Sequence, residues 1–227
     1  MSQIIEETIA QLDCLSVKHP NSKTAVILLH GYGANMRDLF PLWELWHQEG
    51  FDWYFPNAPL SLPMGFYEGR AWFSIDLEEL ERSMREGTSR DLSHKTPPEF
   101  SSTMNLLADF VQKLEGRYEK IILGGFSQGA MCVSHLGLRE NSKVEALILL
   151  SGSLLAKDLF PKKEKSLPFI QSHGAYDPIL SLAGGKNLYQ QLTSLGLVGK
   201  WVEFQGVHEI PLKVIEEVKR FLLQFAH

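Results

Sequence analysis

A serine with a glycine two positions away on each side stands in Gly125-Phe126-Ser127-Gln128-Gly129, after an apolar run and before a helix-forming stretch. Such a serine fits a nucleophile elbow, a strained strand-to-helix turn that lifts the hydroxyl clear and needs small neighbours for clearance. The same pattern also fits an ordinary turn serine, so its context decides between them. A hydroxyl attacks only when a base within reach takes its proton, and the base needs an acid to fix its tautomer. In folds with this elbow the acid and then the histidine follow the serine, at the carboxyl ends of parallel strands.

Two aspartates lie beyond Ser127. Asp177 follows the strand-like LPFIQSHG, whereas Asp158 sits in the helical-looking SLLAKDLF, so Asp177 is the candidate acid. His208, in FQGVHEI between the last strand-like run and the final helix, is the candidate base. Of the other downstream histidines, His135 falls inside the helix after the elbow. His173 ends a strand beside Asp177 and suits a structural hydrogen bond, and His227 is terminal. No HExxH-like spacing points to a metal. Negative charge on the substrate oxygen calls for backbone donors. The amide after the serine, Gln128, supplies one, and LLHGYGAN supplies another at Tyr32, with Gly31 and Gly33 letting the loop bend. Met36 breaks the G-x-G-x-x-G spacing and no GK[ST] follows, which argues against a nucleotide loop.

These groups need a frame. Six short apolar runs, TAVILLHG, FDWYFPNAP, KIILGGFS, EALILLSG, LPFIQSHG and KWVEFQG, each end in a turn signal. Runs apolar on both faces suit parallel strands covered by helices above and below. Between them FSSTMNLLADFVQKLEG carries a stripe of Met104, Leu107, Phe110, Val111 and Leu114 that stops at Gly116. PLKVIEEVKRFLLQFA carries Leu212, Ile215, Val218, Leu222 and Phe225 after Pro211. The expectation is an α/β fold: a mostly parallel, doubly wound sheet of about six strands with helices on both faces and no large cap domain. The stretch before Thr24 adds weakly patterned antiparallel edge strands. Positions 59–98 are the least regular, and Glu78 and Glu81, four residues before Arg82 and Arg85, mark a solvated helix face there. In PLSLPMGFYEGRAWF, Leu62, Met64, Phe66 and Trp72 belong to no stripe and suit a wall for an acyl chain, or a cap on the core edge.

The 227 residues suffice for one domain, 1–227, of ordinary globular composition at 44% hydrophobic and 22% charged. A net charge of −5 without a basic block larger than KKEK argues against nucleic-acid partners and a polybasic membrane anchor, and no apolar run reaches the length that stable membrane insertion needs. Two cysteines without CxxC spacing, and Glu6 and Glu7 where a signal peptide wants positive charge, suggest a cytoplasmic protein.

Taken in order, LLHGYGAN, GFSQGAM, HGAYDPIL and GVHEI resemble the carboxylesterase and acyl-protein thioesterase (phospholipase/carboxylesterase) family of the α/β-hydrolases across most of the chain. The resemblance implies cofactor-free hydrolysis of carboxylic esters or thioesters through Ser127, Asp177 and His208. It makes the amides of Tyr32 and Gln128 the oxyanion hole and places GRAWFS, with Phe73, along the substrate cleft. The implied partner is a small-molecule or lipid ester or thioester, or an acylated protein, met by a monomer or homodimer. Three positions depart from the family pattern: Ser74 where an acid is common, Ser181 where a proline is, and Val207 where a glycine is. A peptidase of the same fold is disfavoured because the chain has no room for a propeller or cap domain. A non-catalytic binding module would be expected to lack a triad member.

Overall fold

The computed structural model describes residues 2–47, 50–64, 67–140, 142–160 and 166–226. An eight-stranded sheet runs through it. The six apolar runs form β3 (Thr24–Leu29), β4 (Phe51–Pro56), β7 (Lys120–Phe126), β8 (Val144–Leu150), β9 (Pro168–Gly174) and β10 (Val198–Phe204), and neighbours among them pair in parallel. The N-terminal stretch supplies β1 (Gln3–Ile9) and β2 (Leu12–Lys18), antiparallel on the β4 edge. The order is β1-β2-β4-β3-β7-β8-β9-β10.

Continuous apolar runs are what such a sheet demands, because each strand faces a core on both sides. Along β3, Ala25, Ile27 and Leu29 point into one core while Val26 and Leu28 point into the other. The first core is covered by α3 (Phe100–Glu115), α4 (Gln128–Leu136) and α5 (Leu182–Ser194). The second lies under α1 (Leu42–Trp46) and α6 (Leu212–Leu222). On α3, Leu107, Phe110, Val111 and Leu114 are buried, each contributing about 1.5–3 kcal/mol. The helix ends with Gly116 as its cap, as the spacing predicts.

Two local expectations are corrected. On α6 the buried face is Val214, Val218, Phe221 and Leu222, and Leu212 is 69% exposed. Leu212 opens the helix, and the i, i+4, i+7, i+8 set that begins at Val214 is the one turned to the sheet. The PLSLPMGFYEGRAWF region holds a separate antiparallel pair, β5 (Leu60–Met64) with β6 (Tyr67–Ala71). Beyond it α2 (Leu77–Glu86) is the solvated helix foreseen, capped by Asp76 and stopped by Gly87 at φ 62°, with Leu77 and Met84 exposed.

The connection out of β3 runs to β4 on one side, and β7 returns on the other. That reversal makes the crevice beyond the carboxyl ends of β3 and β7 the topological switch point, where open α/β sheets gather their ligands.

Candidate active site

Ser127 stands at that crevice, between β7 and α4. Its backbone has φ 55° and ψ −117°, a conformation a side chain adopts at about 1–3 kcal/mol of strain. The amide bond Ser127 N–H to Leu150 O, 2.8 Å, holds the turn to the neighbouring strand. Both flanking glycines are sterically required. A Cβ on Gly125 would lie 2.6 Å from Gly129 O and 2.7 Å from Ala130 N. One on Gly129 would lie 2.6 Å from the Leu29 carbonyl carbon and 2.7 Å from His30 O. The serine is 8% exposed and its Oγ makes no hydrogen bond among the described residues.

The loop after β3 comes against this turn: a Cβ on Gly31 would touch Ser127 Cβ at 3.4 Å. The amides of Tyr32 and Gln128 take no part in the hydrogen bonds of the surrounding loops. For Gln128 this follows from position, since the first amide of a helix has no partner inside it. His30 fixes the loop from beneath. Its Nδ1–H donates to Gly31 O at 2.8 Å, and its Nε2 accepts from Ala58 N–H at 3.1 Å. Burial pushes this ring down to about 4, so it is neutral near neutral pH.

Asp177 lies between β9 and α5, and His208 between β10 and α6. Pairing continues past the ends of β9 and β10 through Ala175 N–H to Phe204 O (2.9 Å) and Tyr176 N–H to Gly206 O (3.0 Å), which brings the two loops together. Asp177 Oδ2 accepts from His208 Nδ1 at 2.6 Å, and its Oδ1 accepts from the amides of Ile179 and Leu180, each at 2.9 Å. Burial alone would raise this carboxyl. The His208 bond and charge, with the two amides, outweigh it and hold the group below its ordinary value. The imidazole of His208 packs on Phe126, the residue before the serine, with centroids 4.7 Å apart. With Nδ1–H given to Asp177, its Nε2 is left as the acceptor.

The rival residues are occupied elsewhere. Asp158 is exposed and 3.5 Å from His94. His135 is buried in α4, donates to Leu155 O at 2.9 Å and is pushed down to about 4 by burial. His173, fully buried, donates through Nε2 to Leu180 O (2.8 Å), and the same nitrogen lies 3.5 Å from Asp177 Oδ2. It therefore backs the acid, the structural bond its position suggests. His227 lies outside the described residues.

A cavity of about 570 Å³ opens from Ser127, within the range of small-ligand sites. Tyr32, Phe73, Gln128, Met131, Leu155 and Leu180 are among its lining. Phe73, placed along the cleft by the resemblance, lines it, whereas among the described residues no member of the expected acyl wall does. Trp72 has no exposed surface and turns inward, donating Nε1–H to His30 O at 2.9 Å. Leu62 sits half-buried on β5 away from the lining. Phe66 and the side chain of Met64 lie outside the described residues. Sequence reasoning missed the Gln128 side chain: Oε1 accepts from Trp72 N–H (2.8 Å) and Nε2 donates to Phe73 O (2.7 Å), fastening the GRAWFS strip to the elbow.

The departures from the family pattern also find places. Ser74 lines the cavity, and both its amide and its hydroxyl donate to Glu99, so an acid reaches the position from elsewhere in the chain. Ser181 caps α5 by accepting from Gly184 N–H. Val207 is 48% exposed, outside the lining. Among the described residues no cluster of three His, Cys, Asp or Glu side chains is placed to hold a metal, and no helix is long and apolar enough to cross a membrane.

A wound, mostly parallel sheet with a strained serine turn at its switch point and a histidine–aspartate pair beside it defines an α/β-hydrolase fold. Residues 12–225 match the phospholipase/carboxylesterase family, and the chain belongs to it. Among its relatives, acyl-protein thioesterase 1 of Candida albicans is 29% identical across 89% of this chain and 92% of that protein. The protein of the same name from Debaryomyces hansenii is 30% identical across 75% and 78%. Among solved structures, esterase PE8 superposes with a TM-score of 0.76 at 26% identity, covering 98% of this chain and 97% of that one. A carboxylesterase from Mesorhizobium loti shares the fold, with a TM-score of 0.75 at 18% identity over 98% of each chain. The protein is a hydrolase of the carboxylesterase and thioesterase type.

Proposed function

We propose that this protein cleaves carboxylic esters or thioesters with an apolar acyl group through an acyl-enzyme on Ser127. The observation that carries the reading is the partly buried Asp177–His208 bond of 2.6 Å, set against Phe126 at the strained serine turn. Ser127 Oγ attacks the substrate carbonyl while His208 Nε2 takes its proton. Asp177 keeps the proton of the neutral ring on Nδ1 and stabilises the imidazolium that forms. The tetrahedral oxyanion is met by the amides of Tyr32 and Gln128, which the fold leaves unspent. The leaving alcohol or thiol departs with the proton from His208. Water then releases the acid by the same route, restoring the hydroxyl.

Ser127 Oγ has no hydrogen-bond partner among the described residues, which suits a pair that tightens only when substrate arrives. The reading takes 1–227 as one domain at work in the cytoplasm. Two buried, unpaired cysteines, Cys14 and Cys132, support a reducing compartment. The names of the fungal relatives favour acyl-protein thioester hydrolysis as the specific activity, with lysophospholipid hydrolysis as the second reading. A series of esters of rising acyl length, with matched thioesters, run on wild type and Ser127→Ala, tests the proposal. An optimum at medium or long chains that vanishes in Ser127→Ala is expected. An optimum at acetate esters would remove both the thioesterase and the lysophospholipase readings.

A further inference from the structure

The cavity at Ser127 is mainly apolar, yet four charged side chains share its lining: Asp76, Glu79, Arg90 and Lys95. Three of them have partners. Lys95 Nζ pairs with both carboxylate oxygens of Glu79, and Asp76 Oδ1 caps α2 by accepting from Glu79 N–H at 2.8 Å. Arg90 does not. It comes from the segment between α2 and α3 and is half-buried. Among the described residues no carboxylate lies within ion-pair distance of it. The guanidinium offers five donors, and one of them makes a single long bond, Nη2 to Ile179 O at 3.4 Å.

That bond has a consequence for position. The amide of Ile179 donates to Asp177 Oδ1, so Arg90 touches the loop that carries the proposed triad acid, and it lines the same cavity as Ser127. Pinning a carbonyl needs one donor and no charge, and a neutral side chain would serve. A partly desolvated guanidinium with no carboxylate in contact among the described residues, in a cavity shared with a nucleophile candidate, is instead suited to receive an anion. Glu79 and Asp76 attract Arg90 electrostatically but make their close contacts elsewhere, Glu79 with Lys95 and Asp76 with the α2 terminus.

We propose that Arg90 recognises an anionic group carried by the substrate, so that this site prefers esters or thioesters bearing a second, negatively charged group. The proposal rests on the hydrolase reading above for the word substrate, though not for the anion site itself. A carboxylate at the end of the acyl chain and a phosphate on the leaving group offer the guanidinium the same chemistry, two or three oxygens in one plane of approach.

Two matched pairs separate these sources: the 4-nitrophenyl hemiester of adipic acid against its methyl ester, and a lysophosphatidic acid against the monoacylglycerol of the same chain. In the wild type, kcat/KM for the charged member of at least one pair should exceed that of the neutral member by about tenfold or more, chiefly through KM. Arg90→Gln should bring that ratio close to one and Arg90→Lys should restore it in part. The pair that responds identifies the anion. An unchanged ratio in Arg90→Gln overturns the proposal, including the case where both substrates lose equally, as a mere loop pin requires. Calorimetry on Ser127→Ala, with and without Arg90→Gln, reads the anion site without turnover, using monoethyl and diethyl adipate. If the wild type hydrolyses no ester while the monoester still binds at least tenfold more weakly without Arg90, the hydrolase reading falls and the anion site stands. Equal binding of the monoester to both variants, with no response of the lysophosphatidic acid pair to Arg90→Gln, overturns the anion site.

Discussion

Gly129→Ala tests whether the elbow is a steric necessity that couples the helix carrying Gln128 to the loop carrying Tyr32. The new methyl group would meet the Leu29 carbonyl carbon at 2.6 Å and His30 O at 2.7 Å. These are backbone atoms at the end of a central strand, so no side chain can swing aside. Relief requires the start of α4 and the loop beginning at His30 to move apart. Overpacking of this kind costs about 1–3 kcal/mol, and backbone neighbours argue for the upper end. In a chain of this size that is a fall of roughly 2–12 °C in Tm. The separation also spoils both proposed oxyanion donors at once, and a shift on the order of 1 Å lowers kcat by about 10²-fold. Thermal unfolding followed by near-ultraviolet circular dichroism, with kcat on a chromogenic ester, measures both. Gly50→Ala is the control: at φ 85° with nothing within 4 Å of the added Cβ, it should lose stability and keep turnover. A Gly129→Ala enzyme with wild-type Tm and kcat would refute the reasoning.

Tyr32→Ala should retain most activity, because its proposed contribution is the amide, whereas Ser127→Ala should fall to a residual of about 10³–10⁴ over water; equal losses in ester assays would assign Tyr32 a side-chain role. Gln128→Ala should destabilise by roughly 2–6 kcal/mol in urea unfolding, since it orphans the buried Trp72 amide and Phe73 carbonyl, and a loss under half a kcal/mol would contradict the clamp. His135 has its folded pKa lowered from 6.5 to about 4 by burial, so the unfolded chain binds a proton there first as pH falls. Its contribution, on the order of 3 kcal/mol, is present above pH 6.5 and is lost between about 6.5 and 4. Stability measured across that window should therefore drop in the wild type and drop less steeply in His135→Gln, and parallel curves would contradict this.

The parts of the fold that could be read in the sequence are those where one physical constraint acts alone. Burial on both faces leaves unbroken apolar runs, so all six parallel strands stand out. The serine turn stands out because its clearance demands glycine at 125 and 129. The face of α6 was harder, since Leu212, Val214 and Ile215 all offer apolar starts and only docking on the sheet selects Val214. The β5–β6 ribbon was hidden although Leu60, Leu62 and Met64 alternate with Ser61 and Pro63, because the aromatics and glycines around them read as a loop. The cavity wall was the least legible. Met131 lies on α4, Leu155 beyond β8 and Leu180 beyond Asp177, and nothing local marks them as neighbours. Trp72, which looked like wall, is drawn inward by a hydrogen bond to His30 O that no pattern of spacing encodes.

The most direct test of the proposed chemistry is labelling of the folded protein with a fluorophosphonate, followed by peptide mapping in a mass spectrometer. The account predicts a single adduct on Ser127, formed far more slowly in His208→Ala and in Asp177→Asn. An adduct on another residue, or a folded protein that takes no label at Ser127, would contradict it.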